Sequence, residues 1–117
     1  MPALRQPAPV CIAAGRVEDC ALPRDVFEAR AEPLRQVLRG LAARHPNLRV
    51  VDPTAFFCGE AECPATRDGY ALFWDDDHVS STAARAFGED VLAHPARYTL
   101  APVPTDPPNP PGPRATE

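Results

Sequence analysis

The sequence predicts an α/β fold, and part of a layered parallel sheet rather than a whole one. Three observations carry this. The periodic and β-branched segments run in the order helix, strand, loop, strand, helix. The first of the two strands, Leu48 to Val51, is a short β-branched run closed by Asp52-Pro53. A strand of that kind suits burial on both faces of a parallel sheet. Two short strands do not make a stable sheet by themselves, so the expected architecture is half of an α/β layer.

Met1 to Arg24 is rich in Pro and Cys and reads as a loop, with a short strand expected at Val10 to Ala13. Arg24 to Arg44 is the strongest helical segment. Phe27, Ala31, Leu34, Val37, Leu38, Leu41 and Ala42 recur at three- and four-residue steps along one face. Pro33 lies inside that pattern, where it either kinks the helix or opens its second half. His45-Pro46-Asn47 ends the helix. Thr54 to Phe57 is expected to form one helical turn, and Cys58 to Gly69 a loop. Tyr70 to Trp74 (YALFW) is the second strand, and Asp75 to His78 the turn after it. Ser80 or Ser81 caps a last helix with Ala84, Phe87, Val91 and Leu92 on one face. Seven of the 16 Pro lie between Pro102 and Pro113. Residues 1–100 are therefore expected to hold the fold, and 101–117 to be a disordered Pro-rich tail.

Composition narrows the partners. The 117 residues carry 12 basic groups, all Arg, against 16 Asp plus Glu, for a net charge of −4. Without a basic stripe the chain is not expected to bind nucleic acid. No apolar run approaches the roughly 20 residues of a membrane span.

Cysteines stand at positions 11, 20, 58 and 63. An even count in a small body fits two disulfides. Cys11 with Cys20 and Cys58 with Cys63 are the natural local pairs, but three pairings exist on paper. Free buried thiols are a rival reading. Zinc would want a Cys-x-x-Cys spacing, which the chain lacks. Disulfides imply an extracytoplasmic location, yet Met1 to Ala14 shows no signal-peptide pattern. Either the thiols are reduced in the cytosol, or the part that exports this segment lies outside the chain.

The residues that carry chemistry are Asp75-Asp76-Asp77-His78, just past the C-terminal end of a predicted strand, where open α/β sheets build their sites. An Asp three residues before a His in a turn can accept a hydrogen bond from Nδ1. That fixes the tautomer, leaves Nε2 free as a base and stabilises the imidazolium. Asp75, Asp77 and His78 also offer oxygen and nitrogen ligands to a metal. Against both stands the plain reading of an acidic run as a solvated turn. His45 and His94 precede Pro at helix ends and suit helix C-terminal charges.

Val50-Val51-Asp52-Pro53, then Phe57-Cys58 with Cys63, then Gly69 through Ser80 (GYALFWDDDHVS) together resemble the C-terminal part of the SGNH domain fused to membrane-bound acyltransferase-3 proteins. Those proteins O-acylate, typically O-acetylate, cell-surface polysaccharides such as lipopolysaccharide. The likeness covers roughly residues 9 to 98. It rests on the motifs in order: a valine-rich strand ending in Asp-Pro, a close cysteine pair, a strand ending in Asp-x-x-His-[Leu/Val]-Ser, and a small-residue helix start. Cys11, Cys20 and the long helix after them fit the same layout.

The resemblance implies an SGNH-hydrolase-like (flavodoxin-like) three-layer parallel sheet lacking its N-terminal half. It makes His78 the general base, Asp75 its orienting partner, and Cys58–Cys63 a structural disulfide. Asp76 and Asp77 match no catalytic role. Val79 replaces the usual Leu, and Ala83 sits where the family often has Gly. The implied partners are an acyl donor and a sugar acceptor, with a membrane acyltransferase domain or the missing N-terminal half. The implied location is periplasmic or on the cell surface, and no cofactor is implied. The family's nucleophile lies in a Gly-Asp-Ser block, which does not occur here. Ser80 and Ser81 are the only serines, and Ser80 better suits a helix cap. The expectation is a fragment carrying the acid–base pair without its nucleophile, with the absent part before residue 1 and the true end of the protein at the C-terminus. The alternative is a non-enzymatic, disulfide-stabilised extracytoplasmic interaction domain whose acidic turn contacts a partner or a cation.

Overall fold

Arg24–Arg44 forms the longest helix, α2, with the bounds its periodicity predicts. In the computed structural model, which describes residues 1–102, this helix runs through Pro33 without interruption. It ends at His45, whose backbone is extended (φ −127°, ψ 91°), as the residue before a proline prefers. Its first amide is not orphaned, because Arg24 N–H donates to the Ala61 carbonyl at 2.9 Å. Only part of the predicted apolar stripe is covered among the described residues. Phe27 is buried, whereas Leu34 and Val37 are 63% and 59% exposed.

Before α2 the chain departs from expectation. The segment read as a strand at Val10 to Ala13 is a short helix, α1 (Ala8–Ala13), followed by a 3-10 turn at Val17–Cys20. Short apolar runs do not distinguish helix from strand by periodicity. The deciding signals were Pro in the first turn and Gly15 just past the end, at φ +71°. Leu22–Pro23 (β1) then pairs antiparallel with Glu62–Cys63 (β2), with Leu22 opposite Cys63.

The predicted strand at Leu48 to Val51 does not form. Val51 makes one isolated antiparallel bridge to Thr99, and the segment is otherwise irregular. A β-branched run becomes a strand only when a neighbour accepts its ladder, and no parallel neighbour exists among the described residues. Thr54–Phe57 forms the expected helical turn, α3.

Within Cys58–Gly69, read as a loop, lies half of a hairpin: Thr66–Arg67 (β3) pairs with Tyr70–Ala71 (β4). Its two-residue turn is Asp68-Gly69 at φ 50° and 84°. Two consecutive positive φ values are what a type I′ hairpin turn needs, and Asp-Gly supplies them. The second predicted strand is correspondingly short. Tyr70–Ala71 is paired, and Phe73 adds a single bridge to Val79. The described residues thus hold two small antiparallel sheets; the predicted parallel three-layer sheet is not among them.

Ser81–Ala93 (α4) starts as predicted, with Ser80 as its N-cap: Ser80 Oγ accepts from Ala83 N–H at 3.1 Å and donates to the Ala71 carbonyl at 2.7 Å. The buried face is shifted from the predicted one. Ala83, Ala86, Phe87 and Val91 face the core, and Leu92 is 85% exposed. A last short helix, α5 (Pro95–Tyr98), brings Tyr98 under the core. Ser80→Ala is expected to cost about 1 kcal/mol in a denaturant melt, because it removes the cap. A cost indistinguishable from zero would mean that the cap is not used in solution.

The core is aromatic. Phe57 is 1% exposed and its ring lies 5.0, 5.7 and 5.8 Å from those of Phe56, Phe73 and Phe87. Phe87 in turn meets Tyr98 edge-on at 5.2 Å. The cysteines pair locally, Cys11 with Cys20 and Cys58 with Cys63. The Pro-rich tail expected at 101–117 lies, from residue 103 on, outside the described residues.

Candidate functional site

Leu72 and Phe73 are fully buried, and the chain emerges from them into Trp74 and the acidic turn. Backbone bonds close that turn on itself. Trp74 N–H donates to the His78 carbonyl at 2.9 Å, and Ser80 N–H to the Leu72 carbonyl at 2.9 Å. Inside it, Asp75 folds back as its spacing predicts. Its Oδ1 accepts the amides of Asp77 and His78 at 2.9 and 2.6 Å, and its Oδ2 stands 2.6 Å from His78 Nδ1. Asp77 Oδ1 is 3.0 Å from the same nitrogen. From outside, the amides of Leu4 and Ala8 donate to the carbonyls of Asp76 and Asp75 at 2.8 and 3.0 Å.

With Nδ1 engaged by Asp75, the free nitrogen of His78 is Nε2. The imidazole side chain is 65% exposed, against 27% for the Asp75 carboxylate. The Trp74 ring lies against it, 5.2 Å between centroids and tilted by 33°. The hydrogen bond to Asp75 and then the charge of Asp75 raise the His78 pKa above its usual 6.5; partial desolvation opposes them, and Asp77 and Asp76 add to the rise. For Asp75 itself, desolvation acts upward, but the amides of His78 and Asp77 and the imidazole outweigh it and hold the carboxyl below 3.8.

The linkage follows from those directions. The stabilisation tied to His78 is fully present below pH 6.5 and is lost as pH rises through the raised value. That tied to Asp75 is present above pH 3.8 and is lost as pH falls through the depressed value. The single Trp makes the first titration visible, because a protonated imidazole against an indole quenches its fluorescence. Emission is expected to rise with pH through a midpoint above 6.5, and His78→Gln should abolish the step. A midpoint at or below the ordinary value would show that Asp75 does not hold the ring in solution.

Asp75, Asp77 and His78 each offer one ligand atom, all within 4.8 Å of one another. An ion bound through Nδ1 would take that nitrogen away from Asp75. Metal ligation and orientation of a base by Asp75 therefore exclude each other at this turn.

A groove of about 660 Å³ lies elsewhere. It runs between α2, Asp52–Thr54 and the Tyr98–Ala101 segment, and His78 does not line it. The groove and the acidic turn are thus separate places, and the His78 side chain is 65% exposed. Asp52 anchors the groove. Its Oδ1 accepts Thr54 N–H at 3.0 Å and Thr54 Oγ1–H at 2.5 Å, and Arg35 Nε is 3.2 Å from its Oδ2. The Asp-Pro motif is thus the start of α3, locked to α2. Partial burial acts to raise the Asp52 pKa, yet the Thr54 bonds and Arg35 bring it below 3.8.

Arg35 is the residue that sequence reasoning missed. Its side chain is 12% exposed, and its guanidinium also pairs with Glu28 and donates to Thr54 Oγ1 at 2.7 Å. Ser80 is taken up as a cap, and His45 and His94 stand exposed at the C-terminal ends of α2 and α4. None of these three is brought to the Asp75–His78 pair. Among the described residues no helix is long and apolar enough to cross a membrane.

A family model described as SGNH domain (fused to AT3 domains) matches residues 1–93, which include both cysteine pairs, Asp52-Pro53 and the Asp75–His78 turn. Comparison with curated proteins and with solved structures found no match.

Proposed function

The chain belongs to the family of SGNH domains fused to AT3 domains, and from that premise we propose that it supplies the base and its orienting acid to a serine acyl-transfer site. The observation that carries this is the 2.6 Å approach of Asp75 Oδ2 to His78 Nδ1, with Nε2 left free. In the proposed reaction a serine hydroxyl attacks the carbonyl of an acyl donor as His78 Nε2 takes its proton. Asp75 keeps the ring in the working tautomer and stabilises the imidazolium. The proton then returns to the leaving group. In the second half-reaction a hydroxyl of a cell-surface sugar, or water, releases the acyl group, with His78 again the base. The acyl group is proposed to be acetyl.

No Gly-Asp-Ser occurs in the 117 residues, and Ser80 Oγ is held between Ala71 and Ala83. The reading therefore places the nucleophile, the oxyanion donors and the walls around His78 on polypeptide outside these residues. The strands of a three-layer parallel sheet would come from the same source. The exposed Leu34, Val37, Leu48 and Val51 support such an added layer. A site on the extracytoplasmic side of the membrane, next to an acyltransferase-3 domain, agrees with the two disulfides.

The test uses p-nitrophenyl acetate as acyl donor. The 117-residue chain alone should not exceed the rate of free imidazole. Supplying polypeptide with the family's Gly-Asp-Ser block, in one chain or in trans, should produce turnover and an acetylated serine. Robust turnover by the 117 residues alone, abolished by His78→Ala, would place the nucleophile inside the chain and overturn this division of labour.

A further inference from the structure

We propose that the loop closed by Cys11–Cys20 is a clamp that positions the Asp75–His78 pair, acting through the backbone amides of Leu4 and Ala8. The acyl-transfer reading gives the clamp its purpose, but the clamp can be tested without it.

The turn is closed by its own bonds. Asp75 Oδ1 takes the amides of Asp77 and His78, and the Trp74 amide donates to the His78 carbonyl. Those bonds are all internal to an exposed turn, where water competes for them, so the turn needs an outside contact that keeps it closed and fixes it on the body. The outward-facing carbonyls of Asp75 and Asp76 do that, and the amides they accept belong to one segment: Ala8 at 3.0 Å and Leu4 at 2.8 Å.

That segment is tied to the disulfide. Arg5 N–H donates to the Cys20 carbonyl at 2.9 Å, and Arg16 N–H to the Cys11 carbonyl at 2.9 Å. Cys20 Sγ lies 3.4 Å from the Pro7 carbonyl oxygen. Leu4, Ala8, Cys11 and Cys20 are all in the core, at 6%, 0%, 3% and 0% exposure. The disulfide joins α1 to the 3-10 turn. Leu4 and Ala8 lie just before its loop, Ala8 in the same helix as Cys11 and Leu4 beside Arg5, whose amide is on Cys20, so both present their amides from a segment docked on the bridged unit. Broken, that unit is free to separate, and each carbonyl it held returns to water. The second disulfide has a different task. Its loop receives Arg24 through Ala61 and Gly59, and it makes no hydrogen bond to the Asp75–His78 turn among those described.

Leu4 and Ala8 are positioning residues, so the readout is the imidazole itself. The ionisable groups that act on His78 are Asp75, Asp77 and Asp76; the clamp contributes none. The experiment follows the His78 Hε1 resonance against pH in the oxidised 117-residue chain and in the double variant Cys11→Ala/Cys20→Ala. The midpoint in the variant is expected to move down toward 6.5. The Asp77 and His78 amides are expected to exchange about fivefold faster, the factor carried by one net hydrogen bond. The control Cys58→Ala/Cys63→Ala should keep the midpoint. An unchanged midpoint in a folded Cys11→Ala/Cys20→Ala variant overturns the clamp. If that variant does not fold, native-state exchange on the unaltered chain decides. Leu4, Ala8, Asp77 and His78 opening as one unit supports the clamp, and Asp77 and His78 staying closed after Leu4 and Ala8 open overturns it. None of these measurements uses acyl transfer. Loss of the clamp leaves the Asp75–His78 assignment standing, and absence of acyl transfer leaves the clamp standing.

Discussion

In the serine-complemented protein, His78→Ala is expected to lower kcat for acyl transfer by about 10,000-fold or more, with little change in KM. In the proposed mechanism the imidazole is the base, and the groups that act on it are the carboxylates of Asp75, Asp77 and Asp76, a chemical class intrinsically less basic than imidazole. Asp75→Asn is expected to cost a comparable factor by a different route. An asparagine oxygen still accepts the amides of Asp77 and His78, so the turn keeps its shape. Its NH2 then faces Nδ1, which must become an acceptor. That moves the ring proton to Nε2, and a protonated Nε2 takes no proton from serine. The wild-type rate should rise with pH through the raised His78 pKa, because the neutral imidazole is the working form. A variant lacking His78 that keeps more than about a tenth of the wild-type rate would remove this residue from the mechanism.

Phe57→Ala is expected to remove about 3–5 kcal/mol of stability. The ring is 1% exposed and touches three other aromatic rings, so no neighbour can close over the cavity without breaking its own packing. Against a total of roughly 5–15 kcal/mol for a small domain, that is a large share. The melting temperature followed by circular dichroism should fall by more than about 12 °C, at roughly 4 °C or more per kcal/mol. The site should follow, because Phe57 packs on Phe73, one residue before Trp74. A loss below about 1 kcal/mol would show that the cavity collapses freely and that the aromatic cluster is not the support of the turn.

The groove arginine tells how far a spacing pattern reaches. Arg35 sits within the predicted helix, and its position on α2 is legible from periodicity. Its ties to Asp52 and Thr54, 17 and 19 residues on, are not legible, because any arginine on that face reads as solvated. The hairpin at Asp68-Gly69 is the opposite case. Its turn signal is local and strong, but its strands, two residues each, are too short to show an alternation and read as part of one loop.

Features whose partners lie within a few residues are legible in the order of residues alone. The bounds of α2, the turn at Thr54–Phe57, the Ser80 cap and the reach of Asp75 to His78 are all of this kind. Each joins a side chain to a neighbour whose distance is set by helix or turn geometry, so residue type and spacing suffice. The ordered set of these motifs also carried the family. Only the tertiary structure decided which elements became strands, and what holds the turn in place. Leu22 opposite Cys63, Val51 against Thr99, and Leu4 and Ala8 on the acidic turn are joined by backbone groups far apart in the chain. Every residue but proline carries the same amide and carbonyl. Such bonds therefore leave no mark in the order of side chains and exist only once the core has brought the segments together.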